Sequence, residues 1–95
     1  KLFRSDMENL GIVVLVSGTV LISMLEQVSS ELGEPDCQLI KPMVVDKDSE
    51  GNQVLTKWLS DFTNEEDSIM MSSDKILTIV SAKQSLIDEY LKLTT

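Results

Sequence analysis

The stretch LGIVVLVSGTVLISMLEQV, residues 10–28, decides the fold of this chain. It is apolar enough to suggest a membrane span or a signal peptide. The apolar part ends near residue 25, short of the roughly 20 residues that a spanning helix needs. Asp6 and Glu8 separate it from the basic residues that would begin a signal peptide, and no small-x-small cleavage site follows it. The membrane span, the signal peptide and a buried helix therefore stay as alternatives to a β-hairpin.

The hairpin interpretation accounts for more of the stretch. Residues 12–16 are rich in β-branched side chains, Ser17-Gly18 can form a turn, and residues 19–28 resume with a two-residue period. Glycine adopts a positive φ without steric cost, which suits it to such a turn. Two sets of side chains then point to opposite faces of the second strand: Val20, Ile22 and Met24, and Leu21, Ser23 and Leu25.

Composition limits the chain to one small domain. Ninety-five residues, 42% of them apolar, suffice for one core with a thin stability margin, which self-association can supplement. Because the chain has only four aromatic residues, the core must be aliphatic. Met7 reads like a natural N-terminus, so we expect residues 1–6 to be a disordered or loosely packed extension and residues 7–95 to be the domain.

Charge and cysteine content narrow the function classes. Sixteen acidic and eight basic residues give a net charge of −8, which opposes binding to phosphate backbones and anionic lipid. Cys37 is the single cysteine, so an intrachain disulfide and a cysteine-based metal cage are excluded. A reducing, cytoplasmic setting is the simplest expectation.

Three further strands follow the hairpin. Residues 36–46 predict a strand that bends at Pro42, because proline lacks an N–H group. Residues 53–62 predict a shorter strand, although a single helical turn also fits. Residues 69–80 predict the last strand, most clearly over residues 75–80, and residues 72–74 interrupt it as a turn between two short strands or a bulge would. Polar, turn-rich loops separate these strands at residues 29–35, 47–52 and 64–68.

The chain ends in a predicted helix over residues 81–93. Ser81 and Gln84 have the spacing of a capping box, and Asp88 and Lys92 are spaced for an i,i+4 ion pair. One apolar stripe runs along the helix: Leu86, Ile87, Tyr90, Leu91 and Leu93. The whole pattern predicts a mainly β fold, a five-stranded, strongly bent SH3-like barrel over residues 10–80 with a C-terminal helix at about 82–93.

The strand motifs resemble the Sm-like (Lsm-type) fold over residues 10–92. They are the V-x-L-x-S-G pattern from Val13 to Gly18, a Lys-Pro step leading into an aliphatic third strand, and the run KILTI from Lys75. The chain is most similar to a small Sm-like group found in tailed phages of marine cyanobacteria. The resemblance implies a ring in which each subunit adds an edge strand to its neighbour. We expect a homo-oligomer of five to seven subunits, inside the host cell if the chain is phage-encoded.

The resemblance also implies where RNA would bind. The Asn that Sm-like proteins carry before the third strand corresponds to Asp36, and their Arg-Gly before the last strand corresponds to Ser72 and Ser73. Both departures remove groups that pair with phosphate or stack on bases. Lys75 is the remaining cation beside these positions, so Asp36, Ser72, Ser73 and Lys75 are the candidate nucleic-acid contacts.

No residue pattern predicts an enzyme, a cofactor or a metal site. Cys37 lies in an aliphatic strand of a chain without histidine, which favours a buried, inert thiol. Asp46, Asp48 and the acidic residues 65–67 lack a recognisable ligand spacing, so solvated loops are the simpler interpretation. Trp58 is either a stacking platform or, more simply, a core residue.

Two functions remain open after these exclusions. The first is an Sm-like oligomer-forming module, a degenerate relative of RNA-binding proteins in which RNA binding is disfavoured by charge. The alternative is a protein–protein interaction or structural adaptor without nucleic acid, which pairs its edge strands with a partner that the sequence does not identify.

Overall fold

The computed structural model describes residues 10–59, 62 and 68–94, which form an antiparallel sheet and one C-terminal helix. This confirms the mainly β class with a C-terminal helix. The predicted extension at residues 1–6 and the acidic residues 65–67 lie outside the described residues. The strands are β1 (Leu10–Leu15), β2 (Val20–Gln27), β3 (Cys37–Lys47), β4 (Gln53–Lys57), β5 (Ser68–Met71) and β6 (Ile76–Val80), and the helix is α1 (Gln84–Thr94). No described helix is long and apolar enough to cross a membrane.

Residues 10–28 form the predicted hairpin. Strands β1 and β2 pair antiparallel from Leu10 opposite Met24 to Val14 opposite Val20. Gly18 closes the turn with a φ of 95°, and its N–H donates to the Leu15 carbonyl at 2.8 Å. A positive φ of this size is why glycine occupies the position.

Both faces of the hairpin are buried, each in its own core. The first core lies between the sheet and α1 and contains Leu10, Ile12, Ile22, Met43, Leu55, Leu86 and Tyr90. The second core lies on the opposite face and contains Val13, Leu15, Leu21, Leu25 and Leu39. The two-residue period of β2 thus sends alternate side chains to different cores. Burial on both faces explains why the stretch is as apolar as a membrane span.

The strand order in the sheet is β4-β3-β2-β1-β6, with β5 paired to β3. Strand β4 pairs with the C-terminal part of β3, from Met43 to Lys47, and β5 pairs with its N-terminal part, from Cys37 to Ile40. Strand β6 returns to pair with β1. The long strand β3 therefore organises the sheet, because it contacts β2, β4 and β5.

The expectation of five strands was wrong for the second half of the chain. The described residues contain six strands, because the segment 69–80 divides into β5 and β6, which pair with different neighbours. A 3-10 turn, Ser73–Lys75, occupies the predicted interruption. The predicted strand over residues 53–62 ends at Lys57, where a turn begins that gives Leu59 a φ of 63°.

Strand β3 bends at Lys41 and Pro42, as the proline predicts. The pairing with β2 shifts there, since Ile22 lies opposite Met43 but Met24 lies opposite Ile40. Lys41 has a φ of 52°, a conformation that is strained for a residue with a side chain. The extra residue reverses the alternation of β3, so Leu39 enters the second core whereas Met43 enters the first.

Two hydroxyl groups hold the bend. Ser23 is fully buried, and its Oγ lies 2.8 Å from the Met24 carbonyl oxygen and 3.1 Å from that of Ile40. Tyr90 of α1 donates its hydroxyl proton to the Lys41 carbonyl oxygen at 2.8 Å. The Lys41 ammonium group donates in turn to the Thr94 carbonyl at the end of α1, at 3.3 Å. The bend is therefore the point at which the helix docks on the sheet.

The helix begins later than the sequence predicts. Ile87 N–H donates to the Lys83 carbonyl at 3.0 Å, so Lys83 occupies the N-cap position and the predicted capping box at Ser81 is wrong. The predicted Asp88–Lys92 pair is also wrong. Asp88 accepts a hydrogen bond from the Gln84 amide at 2.9 Å, and Lys92 lies 3.8 Å from Glu89.

Replacing the glycine of the hairpin turn tests the first element of the fold. A Cβ at position 18 would meet no heavy atom within 4 Å, so the cost of Gly18→Ala is conformational. We expect the free energy of unfolding to fall by about 1–2 kcal/mol, measured by urea denaturation. Ser17→Ala in the same turn is the control and should change it by less than about 0.5 kcal/mol. Equal effects of the two substitutions would contradict this role of Gly18.

Removing the Tyr90 hydroxyl tests the bend. Burial raises the pKa of Tyr90 to about 12, so the folded state favours the neutral phenol. Its contribution is complete below the usual pKa near 10 and is lost as the pH rises toward 12. We expect Tyr90→Phe to lower the free energy of unfolding by about 1–3 kcal/mol at neutral pH, because the Lys41 carbonyl loses its donor.

The pH dependence separates this effect from a general loss of packing. Denaturation curves of the wild type and of Tyr90→Phe should converge between pH 10 and pH 12, since only the wild type carries the ionisable phenol. A difference that stays constant over this range would show that the hydroxyl does not stabilise the bend.

Candidate functional site

The carboxylate of Asp36 joins two loops at one end of the sheet. It accepts hydrogen bonds from Ser73, whose Oγ lies 2.7 Å from Oδ2 and whose backbone N–H lies 2.7 Å from Oδ1. These bonds, the side-chain one first, lower the pKa of Asp36 below its usual value of 3.8. Asp36 immediately precedes β3, and Ser73 opens the 3-10 turn before β6. This Asp36–Ser73 clamp therefore ties the start of β3 to the entry of β6.

Ser72 and Lys75 belong to the same turn. The Lys75 N–H donates to the Ser72 carbonyl at 3.1 Å, and the Lys75 carbonyl accepts from the Val16 N–H at 2.9 Å. The Lys75 side chain is exposed. The structure thus places Asp36, Ser72, Ser73 and Lys75 in one region, although no contact with nucleic acid follows from this placement.

An acidic depression of about 170 Å³ lies beside the clamp. It is lined by Gly33, Glu34, Asp36, Ser72, Ser73 and Asp74. Three of these six residues carry carboxylates, and none is cationic. Such a surface repels phosphate and attracts cationic groups.

An apolar groove of about 250 Å³ runs along β6 and includes Ser73 of the clamp in its lining. This β6 groove is lined by Gln27, Cys37, Ser73 and residues 76–79. A bulge in the pairing with β1 sets Thr78 opposite Val14 and Ile76 opposite Leu15, so Leu77 lies outside the register. Leu77 is 67% exposed as a result. Among the described strands, β6 has β1 as its single pairing partner and ends the sheet.

Sequence reasoning missed this groove although the signal was present. Ile76 and Ile79 both pack against the second core, yet they are three residues apart and a regular strand would send them to opposite faces. That spacing predicts a bulge between them, and a bulge displaces one residue of an otherwise apolar run.

The other two candidate residues, Cys37 and Trp58, are buried and half-buried. Cys37 is 5% exposed, and burial, together with the nearby Asp36 charge, raises the pKa of its thiol. A thiol with a raised pKa is a poor nucleophile at neutral pH. Trp58 is half-buried and packs against the second core.

The acidic residues of the β3–β4 loop organise the turn. The Asp48 carboxylate accepts from the backbone N–H groups of Glu50 and Asn52, each at 2.9 Å, which lowers its pKa. The carboxylate of Asp46 accepts from the Lys47 N–H at 2.8 Å. Within residues 10–59, 62 and 68–94, no three Asp, Glu or Cys side chains come together as metal ligands.

Substitution of Ser73 tests the clamp. Ser73→Ala removes the hydroxyl donor and leaves the N–H donor, so the pKa of Asp36 should rise toward 3.8. NMR titration of the Asp36 side-chain carboxyl measures this change. Ser72→Ala is the matched control and should leave the pKa where it is. The lowered pKa of Asp36 stabilises the fold above pH 4, and this contribution is lost on acidification. A pKa of Asp36 that Ser73→Ala leaves unchanged would contradict the clamp.

Comparison with known proteins gives a family without an assigned activity. The match covers residues 8–95 and the family is described as a family of unknown function, DUF6561. No curated protein matches the chain. Because the match spans the sheet, the clamp and the helix, the chain belongs to the DUF6561 family.

Proposed function

We propose that the chain is a protein-interaction module that works by adding a strand to the edge of an SH3-like, Sm-like sheet. The sharply bent third strand and the separate core on each face support such a curled frame. The observation that carries the function is the edge at β6, which combines an apolar groove with a strand that ends the sheet order. Unpaired backbone groups on an edge strand are a template for another strand.

Self-assembly is a second candidate, and the two ends of the sheet favour it. Strand β4 ends the sheet opposite β6 and exposes 37% of the Val54 side chain. If the β6 edge of one copy pairs with the β4 edge of the next copy, the contact is head-to-tail. Successive contacts of this kind close into a ring when the rotation between copies allows it. This is the arrangement that the Sm-like resemblance implies, with five to seven subunits.

RNA binding is the weaker alternative at this end of the molecule. The carboxylate of Asp36 stands where the resemblance would have an Asn, and its two oxygens already accept from Ser73. Glu34 and Asp74 line the same depression, and among the described residues its lining includes no cationic side chain. A phosphate entering this surface would meet repulsion on most sides. The proposed module acts on proteins, in the reducing cytoplasmic setting that Cys37 favours.

A charge on the exposed edge tests self-assembly. If the two edges assemble, light scattering gives the mass of five to seven copies for the wild type and a smaller mass for Leu77→Lys, because a charged side chain blocks edge pairing. Leu77 is 67% exposed, so the substitution should change the free energy of unfolding by less than about 0.5 kcal/mol.

Leu32→Lys is the matched control, since Leu32 is fully exposed on the β2–β3 loop. It should leave the mass unchanged. A wild type that stays monomeric at all concentrations would remove the ring and leave strand addition by a different protein as the function of the β6 edge.

A further inference from the structure

The β6 groove and the acidic depression form one continuous surface. Ser73 lines both of them, and Asp74, which lines the acidic depression, lies two residues before Ile76, which begins β6 and lines the groove. An occupant of the groove therefore has apolar side chains along β6 and ends close to Glu34, Asp36 and Asp74.

We propose that the β6 edge binds an extended segment of another protein that alternates apolar side chains and carries lysine or arginine beside them. This inference rests on the proposed function, because it names the partner of the same edge. The backbone of the segment would pair with β6, one of its apolar side chains would cover Leu77, and its cationic groups would lie against the carboxylates.

Charge favours such a segment over a second copy of this chain. Each copy carries a net charge of −8, so self-association brings like charges together. A basic segment instead neutralises the acidic depression and steers the encounter. The carboxylate of Asp36 keeps its negative charge in this role, because the two hydrogen bonds from Ser73 favour its ionised form.

The apolar part of the surface requires an extended occupant rather than a compact one. Four consecutive residues of β6, 76–79, form most of the groove lining, which Gln27, Cys37 and Ser73 complete, and the side chains of Leu77 and Val80 are 67% and 49% exposed. A strand laid along β6 covers these side chains and pairs the backbone at the same time. The acidic end then selects among extended segments by their charge.

Synthetic peptides provide the probe. The peptide KKVTVTVKK has an alternating apolar centre and lysines at both ends, so it fits either strand direction. EEVTVTVEE reverses its charge, and KKVTPTVKK keeps the charge but removes a backbone donor from its centre. Binding to the full chain is measured by titration calorimetry at low salt, and the bound site by amide chemical shifts.

We expect KKVTVTVKK to bind and to shift the amide signals of β6 and of Asp74. Its affinity should exceed that of EEVTVTVEE by about tenfold and should fall as salt is added. In the double variant Glu34→Gln, Asp74→Asn, this charge preference should disappear. Glu50→Gln is the control, because Glu50 lies on the distant β3–β4 loop, and it should keep the preference.

Each contrary outcome has a separate meaning. Equal binding of the two charged peptides, or shifts confined to β4, would overturn the basic-partner inference while leaving strand addition intact. KKVTPTVKK binding as tightly as KKVTVTVKK would overturn strand addition itself, and with it the proposed function. Binding of a uridine-rich RNA to the same residues at low salt would show that the surface serves nucleic acid instead. A wild type that assembles through β6, shown by an oligomer that Leu77→Lys dissociates, or a monomeric chain that does not bind KKVTVTVKK, would overturn the inference as well.

Discussion

Two carbonyl groups at the bend of β3, those of Ile40 and Lys41, accept hydrogen bonds from the side-chain hydroxyls of Ser23 and Tyr90. A buried carbonyl without a donor costs about 1–3 kcal/mol, so a bend in the middle of a packed sheet needs such partners. Pro42 cannot supply an N–H, and Lys41 adopts a positive φ. The hydroxyls make this local irregularity stable, and one of them fixes the helix in place.

The consequences of the bend extend through the whole sheet. Because the extra residue reverses the alternation of β3, one strand supplies Leu39 to the second core and Met43 to the first. The bend also divides the free edge of β3 into two parts, so β4 and β5 pair with it one after the other. The chain continues from β5 through the 3-10 turn into β6, where the Asp36–Ser73 clamp fixes its entry.

The hairpin could be predicted from the sequence because its signals are local. Gly18, the β-branched runs and the two-residue period lie within residues 10–28. For the segment 69–80 the sequence left open a turn between two short strands or a bulge, because the choice depends on pairing with β3 and β1, far away in the chain. The resemblance to the Sm-like fold identified Asp36 and Ser73 as candidate site residues. Nothing in the sequence indicates that the carboxylate accepts hydrogen bonds from the serine.

The bulge in β6 and the bend in β3 have opposite effects on side-chain burial. The bend lets β3 supply side chains to both cores, whereas the bulge places Leu77 in solvent. Natural sheets protect their edges with lysine, proline or a covering loop. The five residues of β6, ILTIV, include no charge and no proline. An apolar edge without a charge or a proline of its own is costly for an isolated monomer, and this cost is the physical basis of the proposal that a partner covers β6.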